Sequence, residues 1–146
     1  MEKTITNSSK ETENFGESFA KTLQPGDCIC LFGELGAGKT TLVQGIAKGL
    51  GIGERVVSPT FALVREHIPD TTITTIQKMY HIDLYRLENP EDVRRAGIYD
   101  LMQETNVIVL IEWAERIEAL LPKRRVEIRI ASQDDTREIM VTRVPR

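Results

Sequence analysis

The sequence predicts an α/β protein: a mixed β-sheet flanked by helices, with a C-terminal β-hairpin. Three observations carry this. The apolar run Cys28–Phe32 leads through a glycine-rich loop straight into a segment of helical period. Val107–Ile111, VIVLI, is unbroken in its apolarity, as expected of a strand covered on both faces. RVEIRI and REIMVTR alternate about the polar turn SQDDT, the pattern of a hairpin. With 146 residues, the chain has the length of one domain, residues 1–146. A chain of that size buries roughly 68–70% of its unfolded surface, so one core suffices without disulfide or metal staples.

Each element has a local reason. Ser8, with Glu11 three residues on, is a capping-box signature for a helix over 8–23. Phe15, Phe19 and Leu23 give that helix one apolar stripe, and Gln24-Pro25-Gly26-Asp27 ends it. After the glycine-rich loop, a helix from about Lys39 to Leu50 carries Leu42, Val43, Ile46 and Leu50 on one face, and Gly51 stops it. Pro59 blocks helix in Ser58-Pro59-Thr60. Phe61–Ile68 and Ile76–Tyr85 read as strands placed to pair antiparallel across the turn at 69–72. Asn89-Pro90-Glu91-Asp92 opens a short helix, and Ile98–Glu104 forms another. Ala114–Leu121 is a third, stopped by Pro122. Strands this closely spaced rule out an all-parallel sheet.

Composition excludes several functions. A net charge of −3 argues against a protein that grips a nucleic-acid backbone unaided, and the basic clusters Arg94-Arg95 and Lys123-Arg124-Arg125 are short. Cys28 and Cys30, the two cysteines, lie two apart on a strand and read as small core residues suited to a reducing cytoplasm. The N-terminus has no apolar signal region, and no apolar run approaches the ~18 residues of a membrane span.

Gly33-Glu34-Leu35-Gly36-Ala37-Gly38-Lys39-Thr40 fits G-x-x-x-x-G-K-[ST], with a buried strand before it and a helix after it. Its glycines let backbone amides close on phosphate oxygens, and the helix N-terminus adds its dipole. Lys39 supplies a cation to the β/γ phosphates, Thr40 a hydroxyl for magnesium, and Thr41 a further phosphate contact. The fold is therefore P-loop NTPase-like. Magnesium needs more oxygen, usually a carboxylate at the end of a neighbouring buried strand. Glu112, ending VIVLI, and Asp83, within YHIDLYR, both qualify. Each acid reads as a metal holder, directly or through water, as a group that orients the attacking water, or as a surface carboxylate or helix cap. Thr60 reads as a switch hydroxyl sensing γ-phosphate or as a plain turn residue. His81 and Tyr85 share a strand face with Asp83 in a polar cluster, with Arg86 beside them, and Trp113 follows Glu112 as core or as a neighbour of the nucleotide. No N-K-x-D guanine motif occurs, which favours ATP.

Together GELGAGKTT, SPTF, YHIDLYR and IEW resemble the bacterial TsaE (YjeE) family, four motifs in the family's order across nearly the whole chain. The resemblance implies a P-loop ATPase needed for threonylcarbamoyladenosine formation on tRNAs that read ANN codons. It implies work with a TsaD-type threonylcarbamoyl-transferase and its TsaB-type companion, the transferase being the modifying catalyst. It puts Gly36, Ala37, Gly38, Lys39, Thr40 and Thr41 on the ATP phosphates and Thr40 and Glu112 on Mg2+. Asp83 stands near them in the catalytic cluster, and Thr60 is the switch. It adds nucleotide contacts from Asn7, Ser9 and Arg137. Glu34 replaces a common Asp, His67 a common Tyr, and 69–78 is slightly long. Hydrolysis then resets or activates the partner complex, with indirect or weak tRNA contact. A small-molecule kinase and a nucleotide-gated binding module without significant turnover are the alternatives.

Overall fold

The structure is a computed structural model and describes residues 1–34, 36–56, 64–87, 89 and 91–145. Its strands are β1 (Glu2–Thr6), β2 (Cys28–Phe32), β3 (Val64–His67), β4 (Lys78–Asp83), β5 (Val107–Glu112), β6 (Arg124–Gln133) and β7 (Thr136–Pro145). The helices are α1 (Ser9–Ala20), α2 (Lys39–Gly49), α3 (Glu91–Arg95) and α4 (Ile98–Gln103). Among the described residues the strands form one sheet in the order β1-β7-β6-β2-β5-β4-β3. The central strands β6, β2, β5 and β4 are mutually parallel, while β7, β1 and β3 add antiparallel edges. The mixed sheet, the hairpin β3–β4 and the terminal hairpin β6–β7 are as the sequence predicts.

The alternation of side chains along each strand divides the core in two. Ile29, Leu31, Met79, Ile108, Leu110 and Ile128 face α1 and α2. Cys28, Cys30, Phe32, Ile82, Val109 and Ile111 face Leu87, Val93, Ile98 and Ile117 on the other side. Every residue of β2 and β5 is buried, so chemistry at these strands is confined to their ends. In parallel strands the C-terminal ends meet on one edge, where the loop after β2 and the end of β5 are found.

Glycines set how closely α1 and α2 approach. A Cβ on Gly45 would lie 2.2 Å from the Glu13 carbonyl oxygen, and one on Gly16 would lie 2.6 Å from that of Leu42. Backbone therefore packs on backbone. The α1 cap is as predicted in its first half: Ser8 Oγ accepts from the Glu11 amide at 3.1 Å. Its second half is shifted by one residue, since Glu11 Oε1 accepts from the amide of Asn7 at 3.2 Å.

Three expectations need correction. The predicted helix Ala114–Leu121 is instead a pair of 3₁₀ turns over Ala114–Leu120 that break at Ile117 (φ −132°, ψ 34°). Packing Ile117 and Leu121 under the sheet imposes this break on a segment of ordinary helical pattern. The strand predicted to reach Tyr85 ends at Asp83, whose Oδ1 accepts from the Tyr85 amide at 2.9 Å and turns the chain. The strand β1 was not anticipated; it pairs with β7 along Glu2–Thr6.

Gly45→Ala should destabilise the fold by about 1–3 kcal/mol through overpacking. Gly53→Ala, where no atom of the described residues lies within 4 Å of the added Cβ, should stay within about 0.5 kcal/mol of wild type. Urea unfolding of both variants measures the difference, and equal midpoints would remove the close helix contact from the stability account.

Candidate functional site: a phosphate loop backed by two carboxylates

The loop after β2 turns on glycines. Gly36 and Gly38 have φ +79° and +103°, a left-handed backbone that glycine adopts without strain. Gly38 is also the residue before α2, and among the described residues no side chain caps that helix. Its first amides are thus left for a ligand, with the positive end of the helix dipole behind them. A Cβ on Gly38 would come within 3.2 Å of Ile130 Cδ1 and 3.5 Å of Arg137 Nε, so the cradle is walled by the β6–β7 hairpin.

Lys39 opens α2 with only 6% of its surface exposed. Its Nζ donates to the Gly33 carbonyl oxygen and rests 3.4 Å from the ring centroid of Trp113. Burial pulls its pKa down, while the carboxylates of Glu112, Glu115 and Asp83 oppose that shift and favour the charged form. Trp113 itself has φ +61°, a strained conformation for a bulky side chain. This turn after β5 brings the indole beneath the lysine, with Tyr85 packed at 5.2 Å.

The two carboxylates predicted from sequence are side by side. Asp83 and Glu112 are register partners at the ends of β4 and β5. Glu112 is 3% exposed. Its Oε2 is 2.5 Å from His81 Nε2. Burial raises the pKa of Asp83 and Glu112's charge adds to this, against the Tyr85 amide, His81 and Lys39. The polar cluster therefore differs from the predicted one: His81 turns to Glu112, and Tyr85 leaves the strand to pack at a tilt against Trp113. Glu115, which adds charge near Lys39, was missed by sequence reasoning because it lies in the 3₁₀ segment and no motif covers it.

The sequence profile described as "Threonylcarbamoyl adenosine biosynthesis protein TsaE" matches residues 6–139. The chain belongs to the TsaE family. Relatives named "tRNA threonylcarbamoyladenosine biosynthesis protein TsaE" include one from Rickettsia bellii, 38% identical over 93% of this chain and 90% of its own. Another, from Bacillus subtilis, is 40% identical over 92% of this chain and 81% of its own. The crystal structure of Bacillus subtilis YdiB superposes with a TM-score of 0.77 at 35% identity, covering 98% of this chain and 85% of that one. The mixed sheet with flanking helices is thus the TsaE fold, and the family is nucleotide-binding.

The structure brings some of the residues implied by the TsaE resemblance together. Arg137 Nη2 lies 3.5 Å from the Gly36 carbonyl oxygen, and its Nη1 donates to Ser132 Oγ at 3.0 Å. Thr6, the residue before Asn7, is the register partner of Arg137, so the β1–α1 connection lies along the same edge as the loop. Asn7 and Ser9 are exposed there, and among the described residues no contact joins them to the loop. Thr40 is exposed and Thr41 half-buried at the start of α2. Thr60 and the SPTF motif lie outside the described residues.

The residues fit a magnesium nucleotide. The uncapped helix and the glycine cradle suit phosphate, and the Thr40 hydroxyl and the Glu112 carboxylate are hard oxygen donors. Among the described residues no three His, Cys, Asp or Glu side chains cluster as a metal site. That donor set suits an ion whose remaining ligands are phosphate and water.

Lys39→Ala should weaken ATP binding while the core stays intact. Wild type with magnesium and ATP at a hundredfold excess over Kd should gain ~2.7 kcal/mol against thermal unfolding. Equal protection of the variant at the same ATP concentration would take Lys39 out of the site.

Proposed function

We propose that this chain is the ATP-hydrolysing subunit of tRNA threonylcarbamoyladenosine formation, a single cytoplasmic domain whose nucleotide cycle resets or activates a partner complex. Family membership puts the chain in that pathway. The observation that carries the ATPase reading is the buried Glu112 beside half-buried Asp83, at the strand ends that face Lys39 and the phosphate loop. Among the described residues no helix is long and apolar enough to cross a membrane.

Magnesium ATP, when bound, supplies the phosphoanhydride and a divalent charge. The chain supplies the rest. Gly36, Ala37, Gly38 and the first amides of α2 bind phosphate through backbone N–H groups, and Thr41 adds a hydroxyl. Lys39 has a carbonyl and an aromatic ring as partners in the structure, and phosphate oxygens are stronger, charge-assisted acceptors for it. Thr40 and Glu112 would hold Mg2+. Asp83, with its raised pKa, accepts a proton more readily than an ordinary aspartate and orients the attacking water. Asn7, Ser9 and Arg137 contact the nucleotide from the edge formed by β1 and β7. Thr60 senses the γ-phosphate.

The partners are a TsaD-type transferase and a TsaB-type companion. A net charge of −3 supports indirect or weak contact with tRNA. Turnover is slow for the isolated chain and rises with the partner complex.

Glu112→Gln should fold, bind ATP and hydrolyse it poorly, since the amide keeps the shape and loses the charge. Asp83→Asn should do likewise. Steady-state phosphate release with the partner complex present checks both, and wild-type rates in both variants would mean that other groups activate the water. Thr60→Ala should level the affinities of the ATP and ADP forms for the transferase–companion complex, while ATP still binds the loop. Calorimetric titration of that complex in each nucleotide state measures this; equal affinities already in wild type would leave a nucleotide-indifferent scaffold.

A further inference from the structure

His81 is the most deeply buried ionisable side chain on the phosphate-site face of the sheet, 1% exposed, and its ring has two unlike nitrogens. Nε2 lies 2.5 Å from Glu112 Oε2. Nδ1 is buried and, among the described residues, has no hydrogen-bond partner. At that distance a hydrogen bond joins the two side chains, and both are buried, so the contact fixes one against the other.

We infer that His81 is a positioning residue for Glu112, its Nε2–H holding one carboxylate oxygen so that the other stays available to the phosphate site. The torsion that turns a glutamate carboxylate is broad and soft, so an unheld group has no preferred plane. Holding one oxygen fixes that plane. The sheet makes the contact possible: His81 pairs in register with Leu110 on β5, which sets its ring diagonally across from Glu112. The carboxylate has a competing partner in the Lys39 ammonium, whose charged form Glu112 favours. A Glu112 released by His81 would pair with that lysine and occupy the cation meant for phosphate. The inference rests on reading Glu112 as an acid of the nucleotide site.

The sequence has two histidines, so the test is simple. In protein labelled with 15N at histidine, the resonances lost in His81→Gln belong to His81. They should show a protonated Nε2 in the wild-type protein. An Nε2 without a proton overturns the inference whatever the protein's activity. Kinetics provide the second readout. His81→Phe should lower maximal ATP turnover with the partner complex by about 10- to 100-fold, the range for groups that orient ligands of a metal site, with KM for ATP nearly unchanged. His81→Gln, which can present an amide N–H at similar reach, should recover most of the rate, and the shorter His81→Asn should not. Wild-type turnover in His81→Phe, or a loss not relieved in His81→Gln while that variant melts like wild type, overturns the inference. A wild type without turnover sinks the ATPase reading instead, and the nitrogen resonances still decide where the proton sits.

Discussion

An ammonium that has lost nearly all its water must find other partners, and Lys39 finds three kinds at once. A carbonyl oxygen at Gly33 accepts from it, the face of Trp113 lies beneath it, and the carboxylates of Glu112, Glu115 and Asp83 offset its burial. They come from separate stretches of chain. The end of β2 delivers Gly33, the end of β5 delivers Glu112 and Trp113, and β4 delivers Asp83. They meet because β2, β5 and β4 are adjacent and parallel. The left-handed backbone of Trp113 costs on the order of 1–3 kcal/mol, and the contacts of its ring with Lys39, Tyr85 and Arg116 offset this.

The helix layer holds this arrangement from one side. With Gly16 and Gly45 at the crossing, α1 and α2 touch through backbone atoms, and Lys48 adds ion pairs to Glu13 and Glu17. Long side chains change rotamer easily; peptide planes do not. The loop at the head of α2 is thus referred through α1 to the β1–α1 connection, and through β1 to Arg137 on β7. Two sides of the candidate site share one frame.

What was legible in the sequence is what is locally encoded and fully buried. The strands β2 and β5 and the helix α2 follow from apolar period alone, since every apolar position in them serves the core. The turn after β2 was legible because Gly36 and Gly38 stand where the backbone takes positive φ. Less was legible where tertiary packing overrides pattern. The 3₁₀ break at Ile117 lies in a segment of good helical period. In β1 only Thr6 is buried, so its alternation carries little signal. The contact of His81 with Glu112 spans 31 residues and depends on which strands are neighbours, which no local pattern reports. The acids Asp83 and Glu112 were found singly, as strand-end carboxylates; their pairing belongs to the sheet order.

The edge strand β1 changes how the N-terminus should be regarded. Met1 is almost fully exposed, and the next five residues look on paper like a polar tail that could be trimmed or lengthened freely. They are hydrogen-bonded to β7 along the stretch that carries Arg137, and the last of them, Thr6, is buried with its hydroxyl 2.7 Å from that of Thr12 in α1. A protease that clips there would bare the backbone of β7 to other strands and loosen the seat of α1 together. A purification tag fused directly to Met1 would emerge from the edge of the sheet.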